Sequence, residues 1–129
     1  MFNKSIAIVE DDSNLLNVYS KALKMRGYHD ISSFTDPLLA YRHIQENPNK
    51  YSLLIIDDKI SNINGLFIST KLLEINPKLN VILLNNSKNI KYNYKFNTLK
   101  KNISIFKLID TVNESISNSI SHDDRIYNN

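Results

Sequence analysis

Five acidic residues occur in two short groups, each directly after an apolar run that is typical of a buried strand. The first group is Glu10, Asp11 and Asp12, and the second is Asp57 and Asp58. If the two strands lie in one parallel sheet, both groups meet at the same sheet edge. Gathered carboxylates repel one another and stay ionised only when a cation or hydrogen-bond donors neutralise them. The sequence therefore predicts a site for a hard divalent cation, of which Mg²⁺ is the natural candidate.

A carboxylate at such a sheet edge can also act as a nucleophile toward phosphorus and form an aspartyl phosphate. Asp57 is our candidate for this role because it stands directly at the end of the strand predicted to be the most buried, with the acid pair Glu10 and Asp11 beside it. Lys101 follows the predicted fifth strand and can bring a positive charge to a phosphoryl group, although a one-residue strand slip would put Lys100 there instead. Asp12 is explained more simply as a helix cap, and Asp58 as a solvated loop acid.

The composition argues against several other kinds of site. The chain has no cysteine, two glycines and three histidines, which leaves no thiol chemistry and no glycine-rich phosphate loop. The histidines at 29, 43 and 122 fall in unrelated predicted elements, so neither a catalytic triad nor a zinc cluster is expected. The sequence also shows no signal-peptide core and no membrane-spanning run. We therefore expect a cytoplasmic protein without membrane contact.

The elements that must position these residues alternate between strand and helix patterns. Apolar runs predict strands at 5–9, 29–34, 51–57, 81–84 and 96–99, and helical periodicity follows most of them. This alternation predicts an α/β fold, a doubly wound five-stranded parallel sheet covered on both faces. With 129 residues and 42% hydrophobic residues, the chain fits one domain. We expect that domain at residues 1–121, followed by a flexible tail at 122–129.

The order and spacing of these motifs resemble the receiver domain of two-component response regulators. The resemblance rests on Ile8-Val9-Glu10-Asp11-Asp12, on the run that ends at Asp57 with Gly65 eight residues later, and on a lysine before the last helix. It covers nearly the whole chain. It implies a flavodoxin-like receiver fold and a stand-alone signalling protein rather than an enzyme of an ordinary class.

The resemblance also implies a role for each candidate residue. Asp57 would accept a phosphoryl group from a histidine kinase or phosphotransfer protein, and Lys101 would contact that group. Mg²⁺ would be held by Glu10, Asp11, Asp57 and the backbone carbonyl of Lys59. The phosphorylated protein would then signal through protein–protein interaction.

Several positions depart from the pattern of the family. Asn85 stands where the family usually has a threonine or serine hydroxyl, and Ser61 and Asn102 each replace a usual proline. The family usually has an aromatic residue at one position of the fifth strand. Here that position is Thr98, or Phe96 if the strand is shifted in register. The stretch between Asn85 and Lys101 is also shorter than usual, so the fourth of the family's five helices is expected to be shortened or missing.

The charge distribution suggests what the surface binds. Residues 75–109 contain seven lysines and no acidic residue, which favours an acidic downstream protein partner. Two alternative functions stay open. One is a pseudo-receiver, an interaction module with weak or no phosphorylation, and the other is a basic nucleic-acid-associated domain, which we consider the less supported.

Overall fold

A computed structural model of the chain describes residues 4–85, 96–101 and 104–127. Its main sheet has five parallel strands: β1 (Ile6–Val9), β2 (Ile31–Phe34), β3 (Leu53–Asp57), β6 (Asn80–Asn85) and β7 (Phe96–Lys100). Their order across the sheet is β2-β1-β3-β6-β7. From β1 the chain adds β2 on one side of the sheet and then β3, β6 and β7 on the other, so the predicted doubly wound α/β fold is confirmed.

Four helices are described: α1 (Ser13–Met25), α2 (Pro37–Glu46), α3 (Gly65–Ile75) and α4 (Ile105–Tyr127). Polar side chains cap the first turns of these helices. Asp12 caps α1, and Asp36 caps α2 just before Pro37 at the first helical position. Ser104 Oγ accepts the Lys107 N–H at the start of α4.

The core consists of two apolar layers, one on each face of the sheet. Along β1, for example, Ile6 and Ile8 face one layer while Ala7 and Val9 face the other, as the two-residue period of a strand requires. The helices α1 and α4 cover the first layer, and α2 and α3 cover the second. This packing fixes the carboxyl ends of the strands, where the acidic groups lie.

A short hairpin after β3 was not predicted. Its strands are β4 (Lys59–Ile60) and β5 (Ile63–Asn64), and they pair antiparallel. The two residues between them, Ser61 and Asn62, have φ values of 49° and 66°. Two successive left-handed residues form the tight turn that suits a two-residue hairpin.

Other predictions concern the chain ends and the segment before β7. The helical backbone of α4 continues to Tyr127, six residues past the predicted domain limit at 121. The domain limit and the flexible tail at 122–129 both stay predictions. The shortened or missing fourth helix of the family would fall within residues 86–95, outside the described residues. Within the described ranges, no helix is long and apolar enough to cross a membrane.

Candidate functional site

The two acidic groups lie side by side at the carboxyl edge of the sheet. The strands β1 and β3 are neighbours, and their register pairs Val9 with Ile56, so that Glu10 and Asp57 follow at the same level. One carboxylate oxygen from each of Glu10, Asp11 and Asp57 lies within 4.8 Å of the other two. The structure thus brings together the three acidic residues that the sequence singled out.

Glu10 is fully buried at this edge. Its Oε1 atom accepts a hydrogen bond from the Asp12 N–H at 3.2 Å, whereas Oε2 has no hydrogen-bond partner among the described residues. Burial, together with a hydrogen bond to Asp11 and the charge of Asp57, raises the pKa of Glu10 to about 7. An ionised Glu10 is therefore costly in this environment unless a further cation stabilises it.

Asp57 is also buried, and each of its carboxylate oxygens has a polar neighbour. Oδ1 accepts the Lys59 N–H at 3.3 Å. Oδ2 lies 2.6 Å from Lys101 Nζ, which is also 3.9 Å from Glu10 Oε1. The hydrogen bond to Asp57 raises the pKa of Lys101, so the lysine is a fixed positive charge beside the acids. Its side chain is 30% exposed and lies at the surface of the site.

The register of β7 decides between the two candidate lysines. Asn85 at the end of β6 pairs with Lys100, and the Lys101 N–H donates to the Asn85 carbonyl oxygen at 3.0 Å. Lys100 is exposed, whereas the Lys101 ammonium group reaches Asp57. Asn85 itself is buried at the same sheet edge, where the sequence placed it.

The remaining candidate positions have less direct roles. Asp12 is the cap of α1, as predicted, because its side chain accepts the N–H groups of Asn14 and Leu15. Asp58 is half-buried rather than solvated, and burial followed by the charge of Asp57 raises its pKa. Thr98 is exposed on β7.

Two features of the site were not expected from the sequence. One is the hairpin that carries Lys59, whose N–H contacts Asp57. The other is Tyr19, whose buried hydroxyl donates to the Lys101 carbonyl oxygen at 3.3 Å. Apolar helical spacing indicates that a ring such as that of Tyr19 is buried, but it does not reveal that the hydroxyl reaches the site.

The donor set fits a small hard cation. Glu10, Asp11 and Asp57 offer only oxygen ligands, which Mg²⁺ prefers. Glu10 Oε2 is buried without a hydrogen-bond partner in the described part of the chain. Asp11 is exposed, so water could complete the coordination of an ion from the solvent side. An ion that binds here would satisfy Glu10 and lower the repulsion among the three carboxylates.

Comparisons with known proteins agree with this geometry. A family model described as "Response regulator receiver domain" matches residues 6–113. The chain is 32% identical over 81 residues to the "Response regulator receiver protein CpdR" of Brucella abortus (strain 2308), which covers 63% of this chain and 65% of that protein. The match therefore spans just under two thirds of the length of that relative.

Solved structures share the fold over most of the chain. The receiver domain of the hybrid histidine kinase CckA is 25% identical, with a TM-score of 0.76 over 87% of this chain and 98% of that one. A response regulator receiver domain protein from Clostridium thermocellum is 19% identical, with a TM-score of 0.73 over 88% of this chain and 94% of that one. At that identity, the second similarity shows the fold alone.

Proposed function

Because this chain belongs to the response regulator receiver domain family, we propose that it accepts a phosphoryl group on Asp57 from a histidine kinase or a phosphotransfer protein. The ion pair between Asp57 Oδ2 and Lys101 Nζ, at 2.6 Å inside a cluster of carboxylates, carries this proposal. It joins the nucleophile to the positive charge that the product requires.

The transfer is a displacement at phosphorus. A carboxylate oxygen of Asp57 forms the new P–O bond, the P–N bond of the donor phosphohistidine breaks, and the leaving imidazole nitrogen keeps the electron pair and takes up a proton. The ammonium group of Lys101 then stabilises the negative charge of the phosphoryl oxygens. The Lys59 N–H, which contacts Asp57 Oδ1 at 3.3 Å, orients the carboxylate for this attack.

In this proposal Glu10, Asp11 and Asp57 hold Mg²⁺, with the Lys59 carbonyl as a further ligand. A bound Mg²⁺ supplies positive charge that neutralises the carboxylates and the incoming phosphoryl oxygens. The buried Glu10 Oε2 supports this assignment, since its hydrogen-bonding capacity is unused by the described residues.

Phosphorylation then alters the binding of a downstream protein. The lysines of residues 75–109 favour an acidic partner, and we propose that the protein acts in the cytoplasm. The nucleic-acid alternative has less support, because the family model that matches residues 6–113 is that of a receiver domain.

The test is the intact mass of the protein before and after incubation with acetyl phosphate and Mg²⁺. The wild-type chain should gain one phosphoryl group, and chelation of Mg²⁺ should prevent this gain. Asp57→Asn should abolish it, whereas Asp58→Asn, the matched control at the adjacent acid, should keep it. Label that persists in Asp57→Asn and disappears in Asp58→Asn would contradict the assignment.

A pseudo-receiver is a second candidate, and Asn85 is the observation that favours it. Its buried carboxamide occupies the position at which the family usually has a hydroxyl. If the wild-type chain gains no phosphate from acetyl phosphate in the presence of Mg²⁺, while it still binds Mg²⁺, this second function replaces the first.

A further inference from the structure

The backbone of Lys101 is held by hydrogen bonds from two elements. Its N–H donates to the Asn85 carbonyl oxygen at 3.0 Å, which fixes it to the end of β6. Its carbonyl oxygen accepts a hydrogen bond from the Tyr19 hydroxyl of α1 at 3.3 Å. These two contacts surround the point at which the Lys101 side chain extends to Asp57.

The Tyr19 ring packs in the apolar core, whereas its hydroxyl makes a polar contact. Tyr19 is 3% exposed and lies on the buried face of α1 with Leu16 and Leu23. A buried hydroxyl needs a hydrogen-bond partner, and the Lys101 carbonyl oxygen is the partner that the structure provides. Burial and then the charge of Glu10 raise the pKa of Tyr19, so the hydroxyl stays protonated and remains a donor.

The Lys101 side chain needs this support because packing confines it only partly. Lysine places its ammonium group on a flexible four-carbon stem, and this stem is 30% exposed. The short contact with Asp57 therefore depends on a fixed backbone. The helix that supplies Tyr19 also begins at the Asp12 cap, directly after Glu10 and Asp11, so one helix adjoins both the acids and the lysine.

We propose that Tyr19 is a positioning residue whose hydroxyl holds the Lys101 backbone and thereby keeps the Lys101 ammonium group on Asp57. Tyr19 acts through Lys101 and contacts none of the reacting atoms. The kinetic consequence of this role rests on the proposed phosphorylation of Asp57, whereas the positioning itself does not.

Two matched variants test the role, Tyr19→Phe and Tyr28→Phe. Each removes one hydroxyl and keeps the ring. The Tyr28 hydroxyl donates to Asn113 of α4, away from the lysine, so its loss measures the general effect of such a change. The first readout is the NMR order parameter of the Lys101 Nζ group in the Mg²⁺-free protein. It should fall in Tyr19→Phe and stay unchanged in Tyr28→Phe.

The second readout is the rate of labelling by acetyl phosphate with Mg²⁺. Tyr19→Phe should slow labelling about three- to tenfold, which is the size expected for one lost positioning hydrogen bond, and Tyr28→Phe should not. In a Lys101→Ala background, Tyr19→Phe should cause no further loss, because a residue that acts through Lys101 has nothing left to position.

An unchanged Lys101 order parameter in Tyr19→Phe would overturn the inference. So would an equal loss of order in both tyrosine variants, or slower labelling that persists in the Lys101→Ala background. If the wild-type chain accepts no phosphate at all, the proposed function fails, and the NMR comparison still decides whether Tyr19 positions the lysine.

Discussion

Gly65 lies so close to Asp57 that no side chain fits at that position. A Cβ atom built on Gly65 would lie 2.0 Å from the Asp57 carbonyl oxygen and 3.1 Å from the Asp58 Cα atom. The Gly65 N–H also donates to the Asp58 carbonyl oxygen at 2.7 Å. The start of α3 is thereby fixed against the end of β3, and the glycine that carries part of the family resemblance has a steric cause.

Gly65→Ala should therefore displace the Asp57 backbone and damage both stability and the site. We expect a loss of about 1–3 kcal/mol in the free energy of unfolding, together with slower phosphate labelling. The control is Gly27→Ala. Gly27 has a φ of 96° but nothing within 4 Å of an added Cβ atom, so this variant should lose some stability and keep its labelling rate. Equal labelling rates in the two variants would argue against the steric role of Gly65.

Glu10→Gln should stabilise the Mg²⁺-free protein, and the gain should grow with pH. The pKa of Glu10 is raised from 4.5 to about 7 in the folded state. The folded protein therefore holds this proton more tightly than the unfolded chain, and the resulting stability is present below pH 4.5 and lost as the pH rises through 7. Glutamine removes this loss. At pH 8 we expect a gain of about 1–3 kcal/mol, which thermal unfolding in the presence of a chelator would measure.

The exposed Glu46 provides the control for this comparison, since Glu46→Gln should change stability little at pH 8 and at lower pH. Added Mg²⁺ should stabilise the wild-type protein and the control more than Glu10→Gln, because the variant lacks one carboxylate of the proposed Mg²⁺ site. The same pH dependence in wild-type and Glu10→Gln proteins would show that Glu10 is not the group responsible.

The hairpin turn should reject the proline that the family usually has at position 61. Proline fixes φ near −65°, whereas Ser61 has a φ of 49°. Ser61→Pro should therefore cost about 2 kcal/mol or more, and Ser61→Gly should stabilise by about 0.5 kcal/mol, because glycine adopts this conformation without strain. Denaturant midpoints would measure both. Asn62→Gly is the control and should be nearly neutral, since asparagine tolerates this region. A Ser61→Pro variant as stable as the wild type would contradict the turn geometry.

The main sheet could be predicted from the sequence, whereas this hairpin could not. The alternation of apolar runs and helical periods was sufficient to predict the five-stranded sheet, because each pattern reflects burial on one or both faces. The turn at Ser61 depends instead on a positive φ, and the residue type serine does not indicate that conformation. The pairing of Lys59 with Asn64 could not be predicted for that reason.

The site was predictable as far as it follows from strand ends. Glu10 and Asp57 come together because their strands are neighbours in a parallel sheet. The choice between Lys100 and Lys101 needed the register of β7, which an apolar run does not specify to one residue. The contact of Tyr19 with Lys101 could not be predicted, because the apolar period of α1 indicates only that the ring is buried and not what its hydroxyl contacts.

Lys101→Ala should slow phosphate labelling by at least about tenfold, because it removes the positive charge next to Asp57, the proposed nucleophile. Lys100→Ala is the matched control. It deletes a neighbouring exposed lysine, so it changes the net charge of the protein equally and should alter the rate less than twofold. The comparison uses initial rates by intact mass at fixed acetyl phosphate and Mg²⁺. A larger effect from Lys100→Ala would mean that β7 is shifted by one residue in solution.

Asn85→Thr should strengthen the conformational response to phosphorylation. Asn85 is 1% exposed at the end of β6, and its carbonyl oxygen accepts the Lys101 N–H. A carboxamide can donate a hydrogen bond to a phosphoryl oxygen, but it is larger than a hydroxyl and cannot make the same inward movement in this packed environment. We therefore expect the native chain to change little when Asp57 is modified.

The measurement for Asn85→Thr is the set of backbone amide shifts that change when beryllofluoride and Mg²⁺ are added as a phosphoryl mimic. The variant should show larger shifts that extend beyond the residues around Asp57, whereas wild-type shifts should stay local. Asn80→Thr makes the same substitution at the opposite end of β6 and should respond like the wild type. Identical shift patterns in the wild-type protein and in Asn85→Thr would show that the carboxamide does not limit the response.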